Sequence, residues 1–179
     1  KAAVAGSTTL AADEVTGTIN GVAVTTRTPA TLGYRQVATV AAVSKAGATL
    51  TYRSLAPACA LNGQQITPLA GAGECAISVT SAGNASAAPV TVILPIRLTL
   101  GVQSLGGFAL PETAKAFSKS ALPSTSNFGE KVKYKATGAC SVIKAVLTVR
   151  RGKCEISATA VGKKALYEGL NQMLVTTGK

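Results

Sequence analysis

The sequence predicts an all-β protein: two tandem β-sandwich units preceded by an extended N-terminal segment. Three observations lead there. Gly73-Glu74-Cys75-Ala76-Ile77-Ser78 recurs as Gly152-Lys153-Cys154-Glu155-Ile156-Ser157, and a glycine follows each copy five residues on, Gly83 and Gly162. Upstream, Gly47 and Tyr52 are spaced as Gly129 and Tyr134 are, and a second cysteine follows each tyrosine, Cys59 and Cys140. Self-similarity of this kind defines the structural unit. The composition is the third observation: 47% apolar but 4% aromatic, with 18 Gly and no Trp. Ala, Val, Leu, Ile, Thr and Ser in that mix suit short strands joined by many turns. The 179 residues divide into two units of roughly 70–80 residues, a size at which a core is marginal without a covalent staple.

The elements follow in order. Residues 1–33 stand outside the repeat. Lys1 to Ala12 is small, apolar and Thr-rich, with Val4 and Leu10 as its larger apolar side chains. Thr16–Ile19 and Val22–Thr25 flank Asn20-Gly21, a hairpin signal because both turn residues tolerate positive φ. In the first unit, Val37–Val43 reads as a strand and Ser44–Gly47 as a turn. Ala48–Arg53 alternates, with Leu50 and Tyr52 on one face. Cys59–Leu61 and Gln65–Leu69 flank a turn at Asn62-Gly63. Glu74–Thr80 places Cys75, Ile77 and Val79 on one face. Val90–Leu100 closes the unit, and Pro95 in it implies an edge position or a bulge. Residues 103–117 read as a linker, and Glu112–Leu122 is compatible with a helical turn. The second unit repeats the layout in Lys131–Ala136, Cys140–Ile143, Val146–Arg150, Lys153–Val161 and Leu170–Thr177. The resulting division is 1–33 extension, 34–102 first domain, 103–117 linker and 118–179 second domain.

The net charge of +11 is uneven. Residues 1–100 hold six basic and three acidic side chains, residues 101–179 twelve and four. A basic half suits an anionic polymer or cell surface. Nucleic acid is not expected, because no recognition motif and no interleaved aromatics accompany the charge. The most apolar run, Val90–Leu100, is too short to span a membrane and is broken by Pro95 and Arg97. A chain without an initiator Met or a signal peptide fits a trimmed, secreted product.

Tyr52, Cys59, Gly73-Glu74-Cys75-Ala76-Ile77 and Gly83-Asn84 together resemble a bacterial immunoglobulin-like repeat. That family reads as a Tyr, a Cys after a Pro-containing segment, Gly-x-Cys-x-Ile and a Gly-Asn. The second unit keeps Tyr134, Cys140, Gly152, Cys154, Ile156 and Gly162. It has Lys163 in place of the Asn and no Pro between Tyr134 and Cys140. The resemblance covers residues 34–102 and 118–177. It implies an Ig-like β-sandwich and a surface or extracellular role, and no particular ligand.

Four cysteines with no Cys-x-x-Cys and no His argue for disulfides over a metal centre. Of the three possible connectivities the duplication selects Cys59–Cys75 and Cys140–Cys154, which places the protein in an oxidising compartment. No cofactor is expected. Without His, and with acidic residues scattered, catalysis is not expected either. Leu110-Pro111-Glu112-Thr113-Ala114 is similar to a sortase signal but lacks the apolar tail, and reads as a Pro-containing connection. Asn84-Ala85-Ser86 fits a glycosylation acceptor and, more simply, a turn.

Two non-catalytic roles follow. One is a structural subunit of an extracellular filament or pilus-like fibre that self-associates as the N-terminal segment, with Val4 and Leu10 as donor side chains, pairs with a neighbouring sandwich. The other is an adhesin or stalk that binds an anionic polysaccharide or surface. Its candidate residues are Lys131, Lys133 and Lys135 on one strand face and Arg150, Arg151 and Lys153 at a turn.

Overall fold

The computed structural model describes residues 9–179. Among these the secondary structure is fourteen β-strands, and no helix is long and apolar enough to cross a membrane. The chain divides into two compact units, the first ending at Thr99 and the second running from Leu100 to Lys179.

The first unit holds nine strands: β1 Val15–Ile19, β2 Val22–Ala23, β3 Ala30–Gly33, β4 Ala38–Ser44, β5 Leu50–Ser54, β6 Cys59–Asn62, β7 Gln65–Pro68, β8 Gly73–Ser81 and β9 Val90–Thr99. One sheet has the order β2-β1-β4-β7-β6 and the other β3-β9-β8-β5. With β1, β4, β5, β6, β7, β8 and β9 taken as strands A to G, these are the ABED and CFG layers of an immunoglobulin-type sandwich. β3 is added parallel to β9. The inner faces bury Val40, Ile66, Ile77, Val79 and Ile96 almost completely. Residues two apart share a face of a strand, so the alternation of Cys75, Ile77 and Val79 is what places them inside.

Residues 15–33 are built into this unit and do not stand ahead of it. β1 pairs with β4 along five residues, and Asn20 and Gly21, both at positive φ, turn the chain into β2. The second hairpin loop is one residue later than the sequence suggests. Asn62 still pairs with Gln65, so the loop is Gly63-Gln64. Pro95 lies within β9, opposite Ala76. Tyr34 N donates to Thr99 O, so the odd-numbered residues of β9 direct their backbone groups away from β8. The missing Pro95 N–H therefore removes no ladder bond.

The second unit holds β10 Thr113–Ala114, β11 Lys119–Ala121, β12 Lys133–Ile143, β13 Val146–Ala160 and β14 Leu170–Gly178. The expected helical turn in Glu112–Leu122 is instead β10 and β11. The expected linker is also part of the unit, for Leu105 is buried and Phe108, Leu110 and Ala114 pack against the same core as Leu147, Val149 and Ile156. The equivalence with the first unit extends upstream of Tyr34. Arg35 N donates to Pro68 O as Phe117 N does to Val149 O, and Val40 N to Gln64 O as Leu122 N does to Ala145 O. Both Arg35 and Phe117 have positive φ. β10 corresponds to β3 and β11 to β4.

Two differences separate the units. In the second, the short strands are fused. β12 pairs with β13 first over Lys133–Gly138 and then, past a register shift at Gly138/Cys140, over Cys140–Ile143. Each of these strands thus does the work of two in the first unit. The second difference is that no described strand corresponds to β1. Pro123 stands where β4 has Ala41, which pairs with Thr18. Pro123 has no N–H to offer, and its carbonyl accepts the Tyr134 hydroxyl at 2.7 Å. A strand-A partner would find neither group available.

Candidate interaction surfaces

Cys59 is bonded to Cys75 and Cys140 to Cys154. Each bond ties the hairpin of one layer to the central strand of the other, and each cysteine pair is part of its own core. These residues are scaffold.

The one buried carboxylate with a full set of partners is Asp13. Its Oδ2 accepts the hydroxyls of Ser44 and Ser81, both at 2.6 Å. Its Oδ1 accepts Ala46 N at 3.1 Å. The hydroxyls of Ser44 and Ser81 hold its pKa below the ordinary carboxylate value, with further help from the Ala46 amide and against the opposing effect of burial. Beside it, Ala88 N donates to Ala11 O and Asp13 N to Ala88 O. Residues 11–13 are thereby fastened to the end of the first sandwich. In the sequence Asp13 is one of the scattered acidic residues, ahead of the repeat; the signal that could have found it is Ser81, the polar end of the repeated strand. At the corresponding end of the second unit, Gln103 Nε2 donates to Val161 O and Glu168 O.

Of the candidate donor side chains, Val4 lies outside the described residues. Leu10 is half exposed, two residues before the Ala12–Ala88 bridge. Leu110-Pro111-Glu112-Thr113-Ala114 is an internal part of the second unit, with Leu110 on the core and Thr113-Ala114 in β10. Asn84 closes a turn: its Oδ1 accepts from Ser86 N and Oγ, and its Nδ2 donates to Ala46 O.

The candidate cationic residues do not form one cluster. Lys131, Lys133 and Lys135 are all exposed, and the last two share the outward face of β12. Lys153 sits farther along the sheet and is engaged by Glu155 at 2.6 Å. Arg150 and Arg151 lie where β13 passes from one layer to the other. Across this outward face Lys135 is level with Ser157 and Met173. The first unit presents the equivalent row, Arg53, Ser78 and Ile93. The serine of the repeated motif thus lies on the face away from the core in both units, and Ser78 is covered there, its hydroxyl donating to Arg53 O.

An apolar notch opens in the first unit, between β1 and the upper part of β9. It has a volume of about 400 Å³ and is lined by Val15, Gly17, Ala23, Val24, Val92 and Leu94, among others. Gly17 forms its floor, since a Cβ there would meet Leu94 Cδ2 at 2.6 Å. Among the described residues there is no group of three or more His, Cys, Asp or Glu side chains that could hold a metal ion.

No family model matches the sequence, and no curated relative matches it. Among solved structures, the chain is similar to mouse cadherin-23 EC22-24, with 14% identity over 84% of this chain and a TM-score of 0.30. It is also similar to the Sidekick-1 immunoglobulin domains 1-5, with 8% identity over 93% and a TM-score of 0.29. The Clostridium thermocellum CbhA fibronectin(III)-like modules match at 11% identity over 91%, again with a TM-score of 0.29. The chain spans 62%, 40% and 94% of those structures respectively. The all-β, Ig-like assignment of both units rests on the strand order and registers above.

Proposed function

We propose that this protein is a non-catalytic structural subunit of an extracellular or cell-surface assembly, and that copies join head to tail into a fibre through the N-terminal segment. The observation that carries this reading is the fastening of residues 11–13 to the end of the first sandwich through Ala88 and Asp13. It sets the chain immediately behind residues 1–8 at a fixed point, and it leaves those eight residues, Lys1-Ala2-Ala3-Val4-Ala5-Gly6-Ser7-Thr8, as the donor. A heterologous contact of this kind propagates rather than closes. The disulfide in each unit supports an oxidising compartment, and the sequence resemblance to bacterial surface repeats supports a bacterial source. Electron microscopy of the full chain tests the reading. Fibres are expected, and their loss when residues 1–8 are deleted; a full chain that stays as single particles at high concentration refutes it.

The second reading, binding of an anionic polysaccharide, is favoured by Lys131, Lys133 and Lys135, which are exposed and take part in no ion pair among the described residues. Retention on an anionic polymer should fall steeply as salt rises, because exposed charges are screened within about 10 Å at 0.1 M. Binding that is unchanged by salt or by Lys133→Ala with Lys135→Ala would exclude it.

A further inference from the structure

We infer that the receiver for the N-terminal segment is the notch beside β9 in the first unit of a second copy, where residues 1–8 add as a strand to the open edge of β9. The inference rests on the fibre reading above and names the partner surface for it.

Three observations carry it. The first is the edge itself. β3 covers β9 only from Ile96 to Thr99. Ahead of that, the backbone groups of Thr91 and Ile93 point away from β8, by the same alternation that accounts for Pro95. Among the described residues no strand or side chain bonds to them. An unguarded edge of this kind is a template for another strand, whose main-chain bonds give affinity while pockets for alternate side chains give specificity. Pro95 ends the template where β3 begins, so the edge has a defined length.

The second observation is the pocket. The notch lies directly beside this edge, and Val15, Val24, Val92 and Leu94 make it apolar. Ile93 next to it is 49% exposed and Val22 68%. The third is the occupant. In an extended strand Ala2, Val4 and Gly6 share one face. One branched side chain flanked by two small ones suits an apolar notch lined by Val15, Gly17, Val24, Val92 and Leu94. Between Lys1 and Asp13 the segment has no charge to desolvate. Eight residues reach about 26 Å when extended, enough to pair along Val90–Leu94. The other candidate edges fit less well. Strand β11 is followed by Pro123 with its capped carbonyl. β14 turns the backbone groups of Asn171, Met173 and Val175 outward in the same way, and this edge is the alternative that the exchange measurement below distinguishes.

The experiment uses the full chain and measures fibre mass by sedimentation, with electron microscopy, at one concentration. Val4→Asp on the donor side and Ala23→Trp on the receiver side should each lower fibre mass tenfold or more. Leu10→Asp should leave it within twofold. Ala23 is exposed, so Ala23→Trp tests the notch without touching the core, and an unchanged circular dichroism spectrum confirms the fold. As a second measurement, a peptide of residues 1–8 is titrated into the chain lacking those residues. Amide exchange should slow at Thr91 and Ile93. Fibres unaffected by Ala23→Trp, or protection at Asn171, Met173 and Val175 instead, would overturn the receiver while leaving the fibre reading intact. Monomers with Thr91 and Ile93 already protected would mean that the segment fills its own notch, which overturns the inference. Absence of fibres without that protection counts against the fibre reading itself.

Discussion

At the scale of single residues, Asp13 is the side chain whose role the sequence conceals most. Three donors from two separate segments, Ser44–Ala46 and Ser81, converge on it, and no cation among the described residues pairs with it. Its hydrogen bonds favour the ionised form, so its folded-state pKa lies below the unfolded one. The stabilisation it provides is therefore present above the unfolded carboxylate value, about 4, and is lost as pH falls through the folded value. Asp13→Ala should melt at a lower temperature than the parent at pH 7. The difference should shrink below about pH 4 as the parent's carboxyl takes up its proton. A gap that stays constant down to pH 2 would mean that the charge is irrelevant and only packing was lost. The structural cysteines were easier to read, because the duplicated Gly-x-Cys-x-Ile-Ser strand carries one of each pair.

At the scale of elements, the sequence shows what is local and hides what is distant. Asn20-Gly21 and the alternation in Glu74–Thr80 each specify their conformation within a few residues, and both are present as read. The membership of β1 was hidden because its partner, β4, lies some twenty-five residues on and nothing in Val15–Ile19 names it. Leu105, Phe108 and Leu110 were hidden for a related reason. Spaced irregularly in a stretch without alternation, they look like a linker, and only the missing strand in the second unit gives them a core to fill. The fusion within β12 goes with the absence of a counterpart to Pro57, which lies in the turn between β5 and β6 of the first unit. In its place Gly138 bends β12 at positive φ, and a Cβ there would run into the Lys153 carbonyl. Gly138→Ala should therefore destabilise the second unit by roughly 2–4 kcal/mol, from left-handed strain plus the clash. A calorimetric or denaturant midpoint equal to the parent's would show that the bend is not needed. The candidate cationic set shows the same limit. Lys133 and Lys135 share a face because they are two apart, whereas Arg150, Arg151 and Lys153, read as a turn, lie within the long strand β13.

At the scale of the whole molecule, the two units are one design executed twice with different economies. The first keeps separate strands and a complete β1–β4 pairing; the second merges strands and closes the vacated edge with Pro123 and Tyr134. Each carries one inter-layer bond at the same place in its topology. In the proposed fibre, pulled along its length, that bond would have a mechanical meaning. Tension applied through the ends of the chain cannot reach the residues enclosed between bonded cysteines, 16 positions apart in one unit and 14 in the other. At about 3.4 Å per extended residue, each unit withholds roughly 40 to 50 Å of contour length from unfolding. Stretched one molecule at a time, the oxidised chain should lengthen in two short steps. Adding a thiol reductant should lengthen each by that amount; steps of equal length in both conditions would show that the bonds carry no load. An overstretched subunit that cannot unravel past its cysteines keeps β8 joined to the β6–β7 hairpin, with the core cysteines as a starting point for recoil.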